Sequence, residues 1–113
     1  MTGIEYALRK YCSTKQHVDD LEAQLMNLSE STATADEYAE RIRGITAQLS
    51  VDYNELRRIE ESVSAADMSE AELQYVQLRY FAGRRHATAA AQMELTLQTA
   101  GRIRTAALSK IKL

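Results

Sequence analysis

Ile4, Tyr11, Val18 and Leu25 stand seven residues apart, and Ala7, Thr14, Leu21 and Leu28 repeat that interval three positions later. Side chains at this double interval fall on one stripe of an α-helix; a strand would scatter them over both faces. The pattern predicts a helix from about Gly3 to Leu28 with a coiled-coil-like seam, polar only at Thr14. A second run repeats it. Ile42, Leu49, Leu56 and Val63 form one series and Tyr38, Ile45 and Ile59 the other, with Asp52 as the polar break. Proline is absent and glycine occurs 4 times in 113 residues, so little interrupts a helical chain.

Between the two runs lies Ser29-Glu30-Ser31-Thr32-Ala33-Thr34, a polar stretch that reads as a turn. Thr34 precedes Glu37 at capping-box spacing and is the expected N-cap of the second helix, which should end near Ser64-Ala65-Ala66. Two helices of matched length on a short link fold most economically as an antiparallel hairpin, here residues 1–66. Such a hairpin has a thin core and would gain from a second copy or from packing on the C-terminal part; a homodimer through it is the expectation. Asp52 either fixes the register of the seam or faces outward.

Residues 67–113 have a different texture. Ser69 and Glu72 match a capping box, with Met68 and Leu73 placed for a hydrophobic staple. The helix that starts there carries Leu73, Val76, Leu78, Tyr80 and Phe81 and closes on Gly83 as a left-handed cap. A short helix from Arg85 to Met93 follows, with small residues at Ala87, Ala89, Ala90 and Ala91. After Glu94-Leu95, Thr96 caps a last helix from Leu97 to about Lys112, whose buried stripe is Ala100, Ile103, Ala107 and Leu108. A small-residue helix, a tight turn and a capped basic helix predict helix-turn-helix geometry. The fold class expected is all-α: an antiparallel two-helix hairpin followed by a three-helix helix-turn-helix domain.

Charge divides at the same boundary. Residues 1–68 hold 7 Lys/Arg against 13 Asp/Glu, and residues 69–113 hold 7 against 3, so a net charge of -2 conceals an acidic half and a basic one. A basic end on an acidic chain points to a polyanion there, or to a solvated face. The single cysteine, Cys12, excludes an internal disulfide. With no stretch resembling a signal peptide or a membrane span, a cytoplasmic protein is expected.

The stretch from Leu73 to Leu108 resembles the region-four domain of sigma-70-type transcription factors, and most of all phage late-transcription regulators of the RinA and ArpU kind. Leu78-Arg79-Tyr80-Phe81-Ala82-Gly83 looks like that family's helix end. Thr88-Ala89-Ala90 and Met93-Glu94-Leu95-Thr96 fall on its next helix and turn, and Thr99 through Leu108 falls on its recognition helix, without gaps from Gly83 onward. The sequence departs from the family at Glu94, where the turn has glycine, at Ala100, where valine is usual, and at Gly101. The resemblance implies a DNA-binding transcriptional regulator of phage or prophage origin, with RNA polymerase as a further partner.

The spacing itself assigns roles. In a helix-turn-helix the first turns of the second helix meet base edges in the major groove. Here these turns offer Leu97, Gln98, Gly101 and Arg102, then Thr105. Gln98 can pair with adenine and Arg102 with guanine. Arg84, Arg85 and His86 open the preceding helix, where phosphates are commonly held, and Arg104 and Lys110 could add contacts to the DNA backbone. Two other readings stand beside this one: a helical adaptor with a degenerate helix-turn-helix, and a small subunit of a phage DNA-packaging machine. No enzymatic motif, metal site or cofactor is expected. His17 reads as a surface histidine, Cys12 as an inert thiol, Asp19, Asp20 and Glu22 as solvated carboxylates, and Tyr75 and Tyr80 as packing residues.

Overall fold

A computed structural model describes residues 3–28 and 34–113. Among these, every regular element is helical: α1 (Gly3–Asn27), α2 (Ala35–Ala65), α3 (Glu70–Val76, continued by a π-helical turn over Gln77–Phe81), α4 (His86–Gln92) and α5 (Leu97–Lys110). Of the turn expected over 29–34, all but Thr34 lies outside the described residues. None of these helices is long and apolar enough to cross a membrane.

The starts of α2, α3 and α5 are written in the local sequence. The Thr34 hydroxyl accepts from the Glu37 N–H at 3.3 Å and that of Thr96 from the Thr99 N–H at 3.2 Å. Ser69 and Glu72 form the full reciprocal box, each side chain accepting from the other's backbone N–H at 3.2 Å. Such caps satisfy donors that a helix start otherwise leaves unpaired, each worth about 1 kcal/mol.

α1 and α2 lie against each other with their contacts in descending register. The Tyr11 hydroxyl donates to Glu60 at 2.5 Å, His17 meets Asp52, and Asn27 shares a groove with Gly44. This order is that of two antiparallel helices. Leu8, Tyr11, Val18, Leu21 and Leu28 face Leu49, Leu56, Ile59 and Val63 among the buried residues. Leu8, fully buried, belongs to neither heptad series, while Tyr38, expected in the seam, is exposed. The difference has a reason: the first half of α1 is covered on a second side by the π turn, which demands a wider apolar stripe than a two-helix seam.

Asp52 faces inward. Its Oδ2 lies 2.5 Å from His17 Nδ1 and its Oδ1 accepts from Gln48 at 3.1 Å, so both oxygens of a nearly buried carboxylate are engaged. His17 is half exposed, as expected of a surface histidine, but its ring serves this carboxylate. Glu22, expected to be simply solvated, accepts from the Tyr53 hydroxyl.

The C-terminal helices join the pair through one strongly packed corner. The Ala82 N–H bonds to the Gln77 carbonyl at 2.8 Å and the Arg84 N–H to the Leu78 carbonyl at 3.0 Å, with Gly83 at φ 71. The Arg84 bond reaches back six positions, one more than in a Schellman end, as the preceding π turn requires, and Gly83 takes the left-handed place for which glycine is the ordinary residue. The Cys12 thiol donates toward the carbonyls of Tyr80 and Phe81, at 3.1 and 3.3 Å, and the Phe81 ring packs on Tyr11 with centroids 4.5 Å apart. Burial, then the neighbouring Glu60 carboxylate, pushes the Tyr11 phenol up to about 12. Tyr75, Val76 and Tyr80 are buried beneath α4 and α5, where Ala89, Ala90, Ala100 and Ala107 let the backbones approach. α5 ends at Lys110, two residues before the expected Lys112, because Ile111 turns extended and buries itself in the core.

Candidate nucleic-acid interface

α4 and α5 are joined by a turn that demands a left-handed residue, and Glu94 supplies it with φ 59. The Leu95 N–H returns to the Ala90 carbonyl at 2.9 Å and the Glu94 N–H to that of Ala91 at 3.0 Å, so the turn is tied to the end of α4. Thr96 then caps α5, and its hydroxyl also donates to the Thr99 hydroxyl at 3.0 Å. The first turn of α5 is thereby fixed at its backbone, while Leu97, Gln98 and Thr99 remain exposed.

Ala100 and Ala107 point α5 into the core, which turns Gln98, Arg102, Thr105 and Ser109 outward along one stripe at helical spacing. They line an open groove of about 540 Å³ together with Gly101, Arg104 and Ala106. Gly101 has no neighbouring atom within reach of an added Cβ, so nothing in the fold requires glycine there. The Thr105 hydroxyl donates to the Gly101 carbonyl at 3.0 Å, which leaves its oxygen free to accept. Ser109 was missed by sequence reasoning, although its interval of seven from Arg102 and four from Thr105 places it on the same stripe.

The remaining candidates divide. Arg84 and Arg85 are exposed in the segment that leads into α4, where Arg85 occupies the N-cap position without a side-chain cap bond. Arg79 steadies this segment. Its guanidinium donates to the Arg84 carbonyl at 3.1 Å and lies over the Tyr80 ring. Arg104 is half-buried, and its charge opposes the rise that burial imposes on the phenols of Tyr75 and Tyr80. It therefore sits between the groove and the tyrosine core.

His86 and Lys110, expected to contact DNA backbone, each have a partner within the fold. His86 Nδ1 lies 2.7 Å from the Tyr75 hydroxyl and its Nε2 lies 3.4 Å from the Leu97 carbonyl. Lys110 Nζ donates to Glu72 at 2.7 Å, clamping the end of α5 to the start of α3. That bond, against the opposing effect of burial, holds the Glu72 carboxyl below the usual carboxylate range. These partners lie 11 and 38 positions away, out of reach of local pattern reading.

Among the described residues, no three histidine, cysteine or acidic side chains converge as metal ligands. No protein-family profile, characterised protein or solved structure matches the chain.

Proposed function

We propose that this chain binds double-stranded DNA as a transcriptional regulator, of phage or prophage type, with α4 and α5 as a helix-turn-helix and α5 in the major groove. The observation that carries this reading is the outward stripe Gln98, Arg102, Thr105 and Ser109 on a helix whose first turn is fixed by the Glu94 turn and the Thr96 cap. In this arrangement Gln98 and Arg102 read base edges, while Arg84 and Arg85 meet phosphates. The antiparallel pair α1–α2 acts as the hairpin through which two copies associate. Among the described residues α2 packs chiefly on α1, and Val51 and Tyr53, which flank Asp52 near the middle of the pair, are exposed. RNA polymerase is the second partner that the sequence resemblance offers.

The test is fluorescence anisotropy on DNA flanking the protein's own gene and on a scrambled duplex, across a salt series. Preferential binding to the native DNA is expected. Arg102→Ala should erode that preference by about 1–3 kcal/mol. Arg84→Ala should weaken both duplexes alike and lower the salt slope by about 1. Flat curves on both duplexes at low salt would reject the reading.

A second reading, a helical adaptor with a helix-turn-helix that no longer reads DNA, is favoured by one observation. Glu94 places an exposed carboxylate in the turn beside the reading helix. Flat binding curves with an intact fold would support it. A ring of many copies would instead indicate a packaging subunit.

A further inference from the structure

We propose that His86 is a positioning residue for the reading helix: with Tyr75 it sets the first turn of α5, and it does not itself touch DNA. The inference rests on the DNA-binding reading above. His86 opens α4, beside two exposed arginines, where a phosphate contact would be expected from sequence. Its ring is turned the other way. Tyr75 is fully buried in α3, and its hydroxyl lies 2.7 Å from His86 Nδ1, with the two rings edge-on at 5.7 Å. The opposite nitrogen, Nε2, faces the carbonyl of Leu97, the first residue of α5.

A carbonyl only accepts, so Nε2 carries the proton. In the neutral ring Nδ1 then accepts from the Tyr75 hydroxyl. One imidazole thus joins three elements: α3 through Tyr75, α4 through its own backbone, and α5 through Leu97. The contact to Leu97 is long at 3.4 Å and weak alone. Its effect comes from the ring being held on its other side by a buried phenol. Gln98 follows Leu97 directly, and Arg102 lies four residues beyond Gln98 on the same stripe, so the joint sits at the root of the reading face.

The experiment pairs His86→Ala with Tyr75→Phe and their double variant. Tyr75→Phe keeps the buried ring and removes only the hydroxyl, so it is expected to fold, and Tyr75 is too deeply buried to reach DNA. Each single variant should lower the preference for native over scrambled DNA by about two- to fivefold. The double variant should lose no more than the larger single effect, and all three should keep the parent's salt slope. His86→Gln, whose side-chain amide can still donate, should recover part of the loss. A second readout needs no DNA: long-range nitrogen-proton correlation spectra of the parent should show the Nε2-protonated tautomer, and Tyr75→Phe should shift the His86 ring and the amides of the first turn of α5.

Three outcomes would overturn the proposal. Loss of binding in His86→Ala with none in Tyr75→Phe would make His86 a direct contact. The Nδ1-protonated tautomer would remove the bond to Leu97. A parent that binds neither duplex would reject the DNA reading itself, and the spectra would still show whether the three-helix joint forms.

Discussion

The sulfur of Cys12 lies 3.0 Å from the point where a Cβ would stand on Gly83. This contact seats α1 on the end of the π turn, and it makes the glycine doubly necessary. A side chain at φ 71 costs about 1–2 kcal/mol in backbone strain, and here it would also press on the thiol. Gly83→Ala should therefore destabilise the fold by about 2–3 kcal/mol, the excess over strain being steric. In a Cys12→Ala background the cost should fall back to the strain alone, about 1–2 kcal/mol. Urea unfolding of the four proteins in this cycle measures the difference. Strictly additive costs would mean that the sulfur gives way freely.

Glu72 makes a pH prediction. Its folded carboxyl titrates below the ordinary range because Lys110 binds it, so folding favours the charged form. Its contribution is complete above the unfolded value of about 4.3 and disappears as pH falls through the depressed folded value. Lys110→Met should cost about 1–2 kcal/mol at neutral pH, less than the ~3–5 expected for a fully buried pair, because the Lys110 side chain is 42% exposed. The variant's stability should also depend less steeply on pH in the acid range. Urea midpoints at pH 7 and at successive steps below 4.3 test both claims. Equal acid sensitivity in parent and variant would show that the pair contributes nothing to the linkage.

The features legible in the sequence were those set by near neighbours. Thr34, Ser69 and Thr96 cap the helices they were expected to cap, and Glu94 takes the left-handed turn position that the chain offers to no glycine. The heptad series found most of the seam but not Leu8, because a seam count assumes one partner and α1 has two. The π turn left no mark that propensity could register. The partners of His86 and Lys110 within the fold, Tyr75 and Glu72, were not legible for a common reason. A basic side chain has the same sequence signature whether it faces outward or a distant tyrosine or glutamate, and only the packing of α4 and α5 on α3 brings these partners together.

Asp52 and His17 test whether the pair, a buried carboxylate and a half-exposed imidazole, specifies the α1–α2 register or merely survives in it. His17→Ala would leave the carboxylate with Gln48 as its remaining partner and should cost about 1–3 kcal/mol. Asp52→Leu would extend the apolar series and should be neutral or stabilising, since exchanging a buried polar group for packing often is. If the pair fixes register, the Asp52→Leu protein should show heterogeneous pairing of α1 and α2 in spin-label distance measurements despite its stability. A single sharp distance would limit the pair to local satisfaction of charge.

Glu94 combines two penalties that separate variants can tell apart. A glutamate at φ 59 is strained by its Cβ, and its exposed carboxylate sits in the turn ahead of the proposed reading helix. Glu94→Gly removes both. It should raise stability by about 1 kcal/mol, because release of the left-handed strain outweighs the added freedom of the unfolded chain. Glu94→Gln removes only the charge, so stability should stay within about 0.5 kcal/mol of the parent. If the helix-turn-helix meets DNA as proposed, both variants should bind about two- to fivefold more tightly at low salt, and the gain should shrink as salt screens it. A gain in stability for Glu94→Gly with no change in binding for either variant would place the turn away from the nucleic acid, and a strengthened adaptor reading would follow.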